Sequence, residues 1–514
     1  MLTSPVGPRW ALWAGVNLGF FLVLLVGVVV GATHDPRLFY LIALFAVCSS
    51  SIIDLDGLNG RNALLAIFLM AYFIFYGLED VVSLFFGSPA DFARGASDSS
   101  SSPLLDATEL VILVGAMLLV IAYRVTVSIG RTSVPKSNLW DWPVSTLLVI
   151  GMAFWTIGTW ATFTWYVHVV TDVTIEAKRA GLAQLSALHT LFLLTAQMLQ
   201  PLGVLLLAYA SRIDRNWYLS VALVAMVCLQ CLLAFIVDIK GLAMLGWVLV
   251  IMTCVLVDGR VAKSWVVAAA VFVFVAFPVF QAYRTVTEGG RLIKREAAVE
   301  HLLAVLQKSL DARDRVNTGN DRAQTFFERL SMKESVRMIV AKTGREVEFQ
   351  RGYTLLPIAE AFIPRFLWTE KPDIPTGQIV NKVFHVSDQE ETYISPSHLG
   401  ELYWNFGWPG VIAGMTAIGV LCGVVGRFNL REGRTITRLL VTVLTIRFVI
   451  AGFESSIAAP YVTWLRSLAA IGLLHLIFAR LVVQPRLAVP ASEPSHRLLE
   501  GATPKIRAFP NLLT

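Results

Sequence analysis

The chain has 514 residues, 56% of them hydrophobic and 15% charged, with a formal net charge of +6. A soluble domain carries about 25% charged residues, so an ordinary water-soluble fold is excluded. The positive balance does not point to nucleic acid either, because the basic residues gather in short loops between apolar segments.

Apolar segments fall at residues 11–31, 38–53, 62–78, 104–123, 143–169, 188–210, 217–236, 241–257, 262–280, 406–426, 436–452 and 460–482. A span needs roughly 20 apolar residues, and backbone groups in lipid must find partners within the segment, so each is read as a helix. The expected fold class is all-α: a polytopic membrane protein of about 12 transmembrane helices with one large, partly helical outer loop. Its divisions are N-terminal transmembrane helices in 1–280, the large outer loop in 281–397, C-terminal transmembrane helices in 398–484 and a polar tail in 485–514. The first segment lacks a small-residue cleavage site and reads as a retained helix.

Orientation follows from the short loops. Arg124, Arg131 and Lys136, then Arg212 and Arg215, then Arg260 and Lys263, then Arg427, Arg431, Arg434 and Arg438 all fall on one side. The loop at 79–106 carries Glu79, Asp80, Asp91, Asp98 and Asp106 against Arg94 alone. The positive-inside rule then places both termini in the cytoplasm and 281–397 outside. The stretch 95–103, rich in serine, reads as a flexible loop.

Cys48, Cys228, Cys231, Cys254 and Cys422 all lie in apolar segments, so no disulfide framework is expected, and Cys228-Leu-Gln-Cys231 has no polar context for redox or metal chemistry. Asp54-Leu-Asp56 has the spacing of a metal pair but falls on the cytoplasmic side. Asp388-Gln-Glu-Glu391 reads as a solvated acidic run. No metal and no cofactor are expected.

Within the outer loop, 291–315 and 323–343 read as helices. The second sets Phe326, Phe327, Leu330, Met338 and Ile339 among Glu328, Arg329, Lys333, Glu334 and Arg337, with Gly344 as its stop. Such a helix suits a membrane surface or a lid. The densest polar constellation follows: Arg351-Gly-Tyr353, then Ile363-Pro-Arg365 through Trp368 to Lys371-Pro372, then His398-Leu-Gly-Glu401-Leu-Tyr403-Trp-Asn405-Phe-Gly407-Trp-Pro-Gly410. On a helix His398 and Glu401 share a face, as do Glu401 and Asn405. Tyr283-Arg284 and Arg291 follow the ninth segment, and with Arg351 and Arg365 could line an outward cationic pocket suited to phosphate oxygens. Asp238 and Lys240 either pair locally or extend that pocket.

Each of these residues also has a bland reading. Arg365 and Lys371 could meet lipid headgroups, and Glu401 could pair with a structural arginine. Trp368, Trp404 and Trp408 read first as interfacial belt residues.

The order Tyr353…Ile363-Pro-Arg365…Trp368…Lys371-Pro372 followed by Glu401-Leu-Tyr403-Trp-Asn405-Phe-Gly407-Trp-Pro-Gly410 resembles the oligosaccharide repeat-unit (Wzy-type O-antigen) polymerases. The motif likeness covers residues 351–411, with Tyr283-Arg284 more loosely matched. It implies a GT-C-like membrane glycosyltransferase that uses undecaprenyl-pyrophosphate-linked oligosaccharide at the outer face of a bacterial plasma membrane, without nucleotide sugar. Arg365 matches the family's arginine after Ile-Pro, and Glu401 its acid before the aromatic–Asn–Phe–Gly stretch. Lys240-Gly241 stands where an arginine–glycine pair is expected.

The resemblance implies catalytic Glu401, His398 and Arg365. It implies substrate binding by Arg284, Arg291, Arg351, Tyr353, Lys371, Tyr403, Asn405 and Lys240. Implied partners are membrane lipid, a chain-length regulator and other polysaccharide-assembly proteins, with no nucleic acid. The alternatives are an O-antigen ligase-like glycan transferase and, in another class, a lipid-linked glycan transporter or flippase.

Overall fold

The structure is a computed structural model that describes residues 6–31, 37–51, 63–86, 105–129, 143–169, 192, 196, 198–214, 217–236, 240–258, 264–269, 271–272, 331–360, 363, 368, 376–386, 393–429 and 436–482. Among them the regular structure is helical, apart from an isolated bridge between Thr343 and Val347. The helices are α1 (Val6–Gly31), α2 (Arg37–Ser49), α3 (Ala63–Tyr76), α4 (Leu78–Phe86), α5 (Ala107–Ile129), α6 (Val144–Val169), α7 (Leu199–Asp214) and α8 (Trp217–Ile236). They continue with α9 (Lys240–Asp258), α10 (Lys333–Lys342), α11 (Leu356–Glu360), α12 (Thr376–Phe384), α13 (Ser397–Asn429), α14 (Ile436–Ala451) and α15 (Ala458–Val482). The chain divides into two units, Met1–Ile471 and Gly472–Thr514. The described part of the second is the end of α15.

Long apolar helices compatible with a membrane protein are present, but twelve spans are not supported. Among the described residues four helices are long and apolar enough to cross a membrane, or up to five if the bent pair α3–α4, which turns by 49° at Gly77, is one span. Leu12–Leu24, Leu38–Ser49 and Leu245–Asp258 are apolar but shorter. A hydropathy window counts apolar residues and cannot see where a helix stops or folds back. The 262–280 segment is described only at 264–269 and 271–272. The expected helix at 291–315, the loop at 95–103, the tail at 485–514 and both acidic runs lie outside the described residues.

In the first unit α13 packs most extensively on α5. Gly419 and Gly423, one turn apart on α13, face Leu119 and Thr126 of α5, where any β-carbon would collide with the neighbouring chain. Small residues at that spacing let two helix backbones approach closely, which is how helices associate in lipid. The helices α6, α7, α8 and α9 form a second packed group, and α14 touches both α13 and α3 on one side and α7 and α9 on the other.

A compact cap packs on α13 and α5. Ile339, Val347, Val380, Phe384 and Trp404 form its core. Helix α10 ends at Lys342, and Gly344 adopts φ +81° two residues later, the stop expected for it. The amphipathic pattern is only partly right, however. Lys333, assigned above to the polar set, is 4% exposed. Its Nζ donates to Asp80 Oδ2 at 2.6 Å and to Glu109 Oε1 at 3.0 Å, and lies 4.3 Å from the centre of the Tyr40 ring. The 79–106 stretch is therefore no simple solvated loop: Asp80 sits on α4, and Asp106 and Glu109 form a reciprocal cap at the start of α5, Glu109 N–H donating to Asp106 Oδ1 at 2.6 Å. Met332 N–H donates to Phe75 O, which seats the start of α10 at the end of α3.

Burial opposes the Lys333 charge, but the carboxylates of Asp80 and Glu109 outweigh it and raise the group above the ordinary lysine value of 10.5. A raised folded-state value means that this contribution is complete below 10.5 and is lost only as pH climbs through the folded value. Removing one partner of such a cluster leaves buried charge uncompensated. Lys333→Met is expected to destabilise the protein by about 3–5 kcal/mol, read as a lowered unfolding temperature in detergent at neutral pH. Adding Asp80→Asn and Glu109→Gln should recover much of the loss. An unchanged unfolding temperature for Lys333→Met would contradict the cluster.

Candidate functional site

The site begins at a break in α13. Gly407 has φ 64° and ψ −144°, a conformation open to glycine, and Pro409 follows inside the helix. Two arms result, Ser397–Phe406 and Trp408–Asn429, and they fold back on one another. A β-carbon on Gly410 would collide with the Leu402 carbonyl, and one on Gly414 with the Leu402 side chain. In a straight helix residues twelve apart stand about 18 Å from each other. Leu399 Cδ2 and Met415 Cγ both lie against Gly115 of α5, 2.7 Å and 3.5 Å from where its β-carbon would be. The first arm is thus a re-entrant half-helix whose N-terminus is buried beside the middle of α5. The second arm, about 33 Å long at ~1.5 Å per residue, is enough to span a bilayer.

A helix that starts inside the bundle has N–H groups to satisfy. Ser397, at φ 58° and fully buried, accepts Gly400 N–H and the Tyr76 hydroxyl, the latter at 3.1 Å. Ser395 Oγ accepts Ser397 N–H and donates to the Phe453 carbonyl in the connector between α14 and α15. One turn along, Glu401 is fully buried, and its Oε2 accepts Ile457 N–H at 2.5 Å, at the start of α15. Its Oε1 is buried, and the Thr354 side chain hydrogen-bonds the same carboxylate. His398 is 1% exposed with neither ring nitrogen partnered. Phe453 and Phe448 stand edge-on to its ring, with centroids 5.4 and 6.5 Å away. The ring lies directly over Gly452, where any β-carbon would overlap Nε2.

The half-helix ends against the cap. Gln350 and Arg351 donate their N–H groups to the carbonyls of Trp404 and Asn405. Asn405 Oδ1 accepts Gly352 N–H, while Nδ2 donates to Thr354 Oγ1 and to the Glu401 carbonyl, each at 2.8 Å. Asn405, expected at the substrate, is thus fully used in fastening segment 350–354 to the half-helix. It meets Glu401 through the backbone and not through the carboxylate.

The structure brings His398, Glu401, Tyr403 and Asn405 together on one ten-residue arm. Tyr403 is half-buried against the cap core, and Trp404, read first as a belt residue, is 0% exposed and packs on Phe384 inside that core. Arg351, at φ 49°, and Tyr353 are exposed at the far end of the arm. Arg284, Arg291, Arg365 and Lys371 lie outside the described residues, as does the side chain of Lys240.

Sequence reasoning missed Tyr76, Gly452 and Ile457, whose roles depend on contacts across more than 50 residues. It also passed over Arg447, half-buried on α14, and Arg466, exposed on α15. There a signal was available, since an arginine within an apolar span is a functional candidate by default. Among the described residues no group of three or more His, Cys, Asp or Glu is placed to hold a metal.

A buried carboxylate one helical turn from an imidazole with two unpartnered nitrogens can accept or pass a proton once a hydroxyl or water reaches it. Left unsatisfied, each such group costs about 1–3 kcal/mol. The fold and this site define a helical protein with membrane-compatible spans and a buried acid–imidazole pair on a re-entrant half-helix. Residues 162–428, more than half of the chain, match the family described as Domain of unknown function (DUF8712), and the chain belongs to that family. No curated protein and no solved structure matches the chain.

Because His398 rests on Gly452, Gly452→Ala should force the ring or the connector to move, costing about 1–3 kcal/mol. Combining it with His398→Ala should abolish the added cost. Thermal unfolding of the four proteins in detergent measures this, and a Gly452→Ala protein as stable as the parent would refute the packing.

Proposed function

We propose that the chain extends undecaprenyl-pyrophosphate-linked oligosaccharide repeat units by glycosyl transfer at the outer face of a bacterial plasma membrane. The observation that carries the reading is Glu401, a carboxylate buried in the re-entrant arm and held there by Ile457 N–H and the Thr354 side chain. The likeness of residues 351–411 to repeat-unit polymerases points to the same residue. In this reading the acceptor sugar's hydroxyl reaches Glu401 Oε1 and gives up its proton there as its oxygen attacks the donor's anomeric carbon. The bond from that carbon to the pyrophosphate breaks, and the lipid pyrophosphate leaves with the bonding electrons. Arg365, with Arg284, Arg351 and Lys371, neutralises the leaving group. His398, one turn before Glu401, is the second choice of base. The orientation with cytoplasmic termini and an outward cap belongs to the same proposal.

A second reading, a lipid-glycan transporter, draws support from the broken helix α13, because transporters set interrupted helices and ionisable groups deep in the membrane. The two differ in product: a transporter moves the lipid-linked unit unchanged.

Glu401→Gln separates catalysis from architecture. A glutamine carbonyl still accepts Ile457 N–H, so the connector should hold while the base is lost. The variant is expected to unfold at the parental temperature and to lose about 100-fold or more in chain extension. Extension is assayed with purified lipid-linked repeat unit and no nucleotide sugar. Parental activity in Glu401→Gln would exclude it as base.

Arg365→Lys keeps the charge but not the guanidinium fork. It should lose most extension activity in the same assay, whereas full polymer length would mark Arg365 as a headgroup anchor.

A further inference from the structure

The second arm of α13 presents an exposed stripe at Pro409, Ile412, Ala413, Ala417, Val420 and Val424, which share one helical face. An apolar stripe on the outside of a helix long enough to span is the side that meets lipid tails. It does not end at the break. On the other side of Gly407 the next exposed residue is Phe406, 45% accessible, followed in space by Phe349 (40%) and Tyr353 (46%). The rings are held in place by backbone without side chains: Phe349 lies over Gly344 and Gly407, and Phe406 over Gly352, each contact being 3.1–3.3 Å from where a β-carbon would stand. All three glycines have positive φ, so the chain is bent at each to lay a ring across it. Arg351 is exposed beside them. The cap thus has two unlike surfaces. Helix α10 turns Glu334 (side chain 76% exposed) and Arg337 to solvent, whereas the 349–353 segment and Phe406 turn out aromatic rings with one guanidinium.

We propose that the Phe349–Tyr353–Phe406 face of the cap is a membrane-docking surface immersed in the interfacial layer of the bilayer phospholipids. The rings occupy the glycerol and upper acyl region, with Arg351 at the headgroup level. Three features select lipid as the occupant. The face continues the exposed stripe of a span. It lies at the point where that span begins, Phe406 standing two residues before Trp408. Its composition, aromatic rings beside a cation, is that of residues that settle at the membrane–water interface. Docking there fixes the cap against the bilayer, and with it segment 350–354, which fastens the end of the half-helix through Asn405. The inference rests on the spanning arm and does not depend on the glycosyl-transfer reading.

The test places single cysteines at Phe349, Tyr353 and, as a solvent reference, Glu334, in a chain whose five native cysteines are replaced. Each is labelled with bimane and reconstituted in phosphatidylcholine–phosphatidylglycerol vesicles. Labels at 349 and 353 should lose most of their emission to phospholipids brominated near the top of the acyl chain and little to aqueous iodide. The label at 334 should do the reverse. Two positions on the face guard against one substitution disturbing the fold. Iodide quenching at 349 and 353 equal to that at 334, without quenching by brominated lipid, would overturn the proposal.

Discussion

A helix that begins inside a protein and stops at a bend leaves its first N–H groups and last carbonyls without intrahelical partners, and inside an apolar bundle water cannot supply the former. The arm Ser397–Phe406 is such a helix, and its surroundings are organised around that demand. Ser395 and Ser397 serve its start, while Gln350, Arg351 and Asn405 serve its end. Glu401 extends the same service to α15 by taking Ile457 N–H. Three stretches distant in sequence, 350–354, 395–405 and 453–457, are thereby tied into one polar seam.

The seam explains why the buried acid and imidazole are tolerated where they are. A negative carboxylate oxygen at the start of α15 meets the positive end of that helix. The His398 nitrogens are the part of the arrangement that the fold itself does not use. Tyr76 connects the seam to the charged cluster of Lys333, Asp80 and Glu109, since it donates to Ser397 and its carbonyl accepts the hydroxyl of Tyr40, over whose ring Lys333 lies. The cap is fixed at one side by ionic bonds to α4 and α5, and at the other by backbone bonds to the half-helix.

Much of the helical layout was legible because apolar segments of spanning length have few alternatives in lipid. Trp217–Ile236 and Val144–Val169 agree with the expected segments to within a residue. The span count was not legible, since α2 is short and α13 folds back. The letters for that fold-back were present in Gly407-Trp-Pro-Gly410, but they were read as a family motif and not as a break. The partnership of His398 with Glu401 on one helical face followed from their spacing. Their burial, and the use of Asn405 as a fastener, required partners more than 50 residues away. Lys333 shows the same limit: its helix face looked charged and solvated, and only the arrival of Asp80 and Glu109 from 253 and 224 residues away makes its burial affordable.

The fold-back of α13 at Gly407 is tested most directly by a cysteine pair at Leu402 and Gly414 in a chain free of other cysteines. The two positions touch across the bend, where Leu402 fills the space a Gly414 side chain would occupy. Mild oxidation in membranes should link them, detected by mass spectrometry as a disulfide joining the two peptides. A continuous helix would hold the pair about 18 Å apart. Failure to link, with a control pair at Leu119 and Gly419 linking under the same conditions, would contradict the re-entrant arm and the buried site built on it.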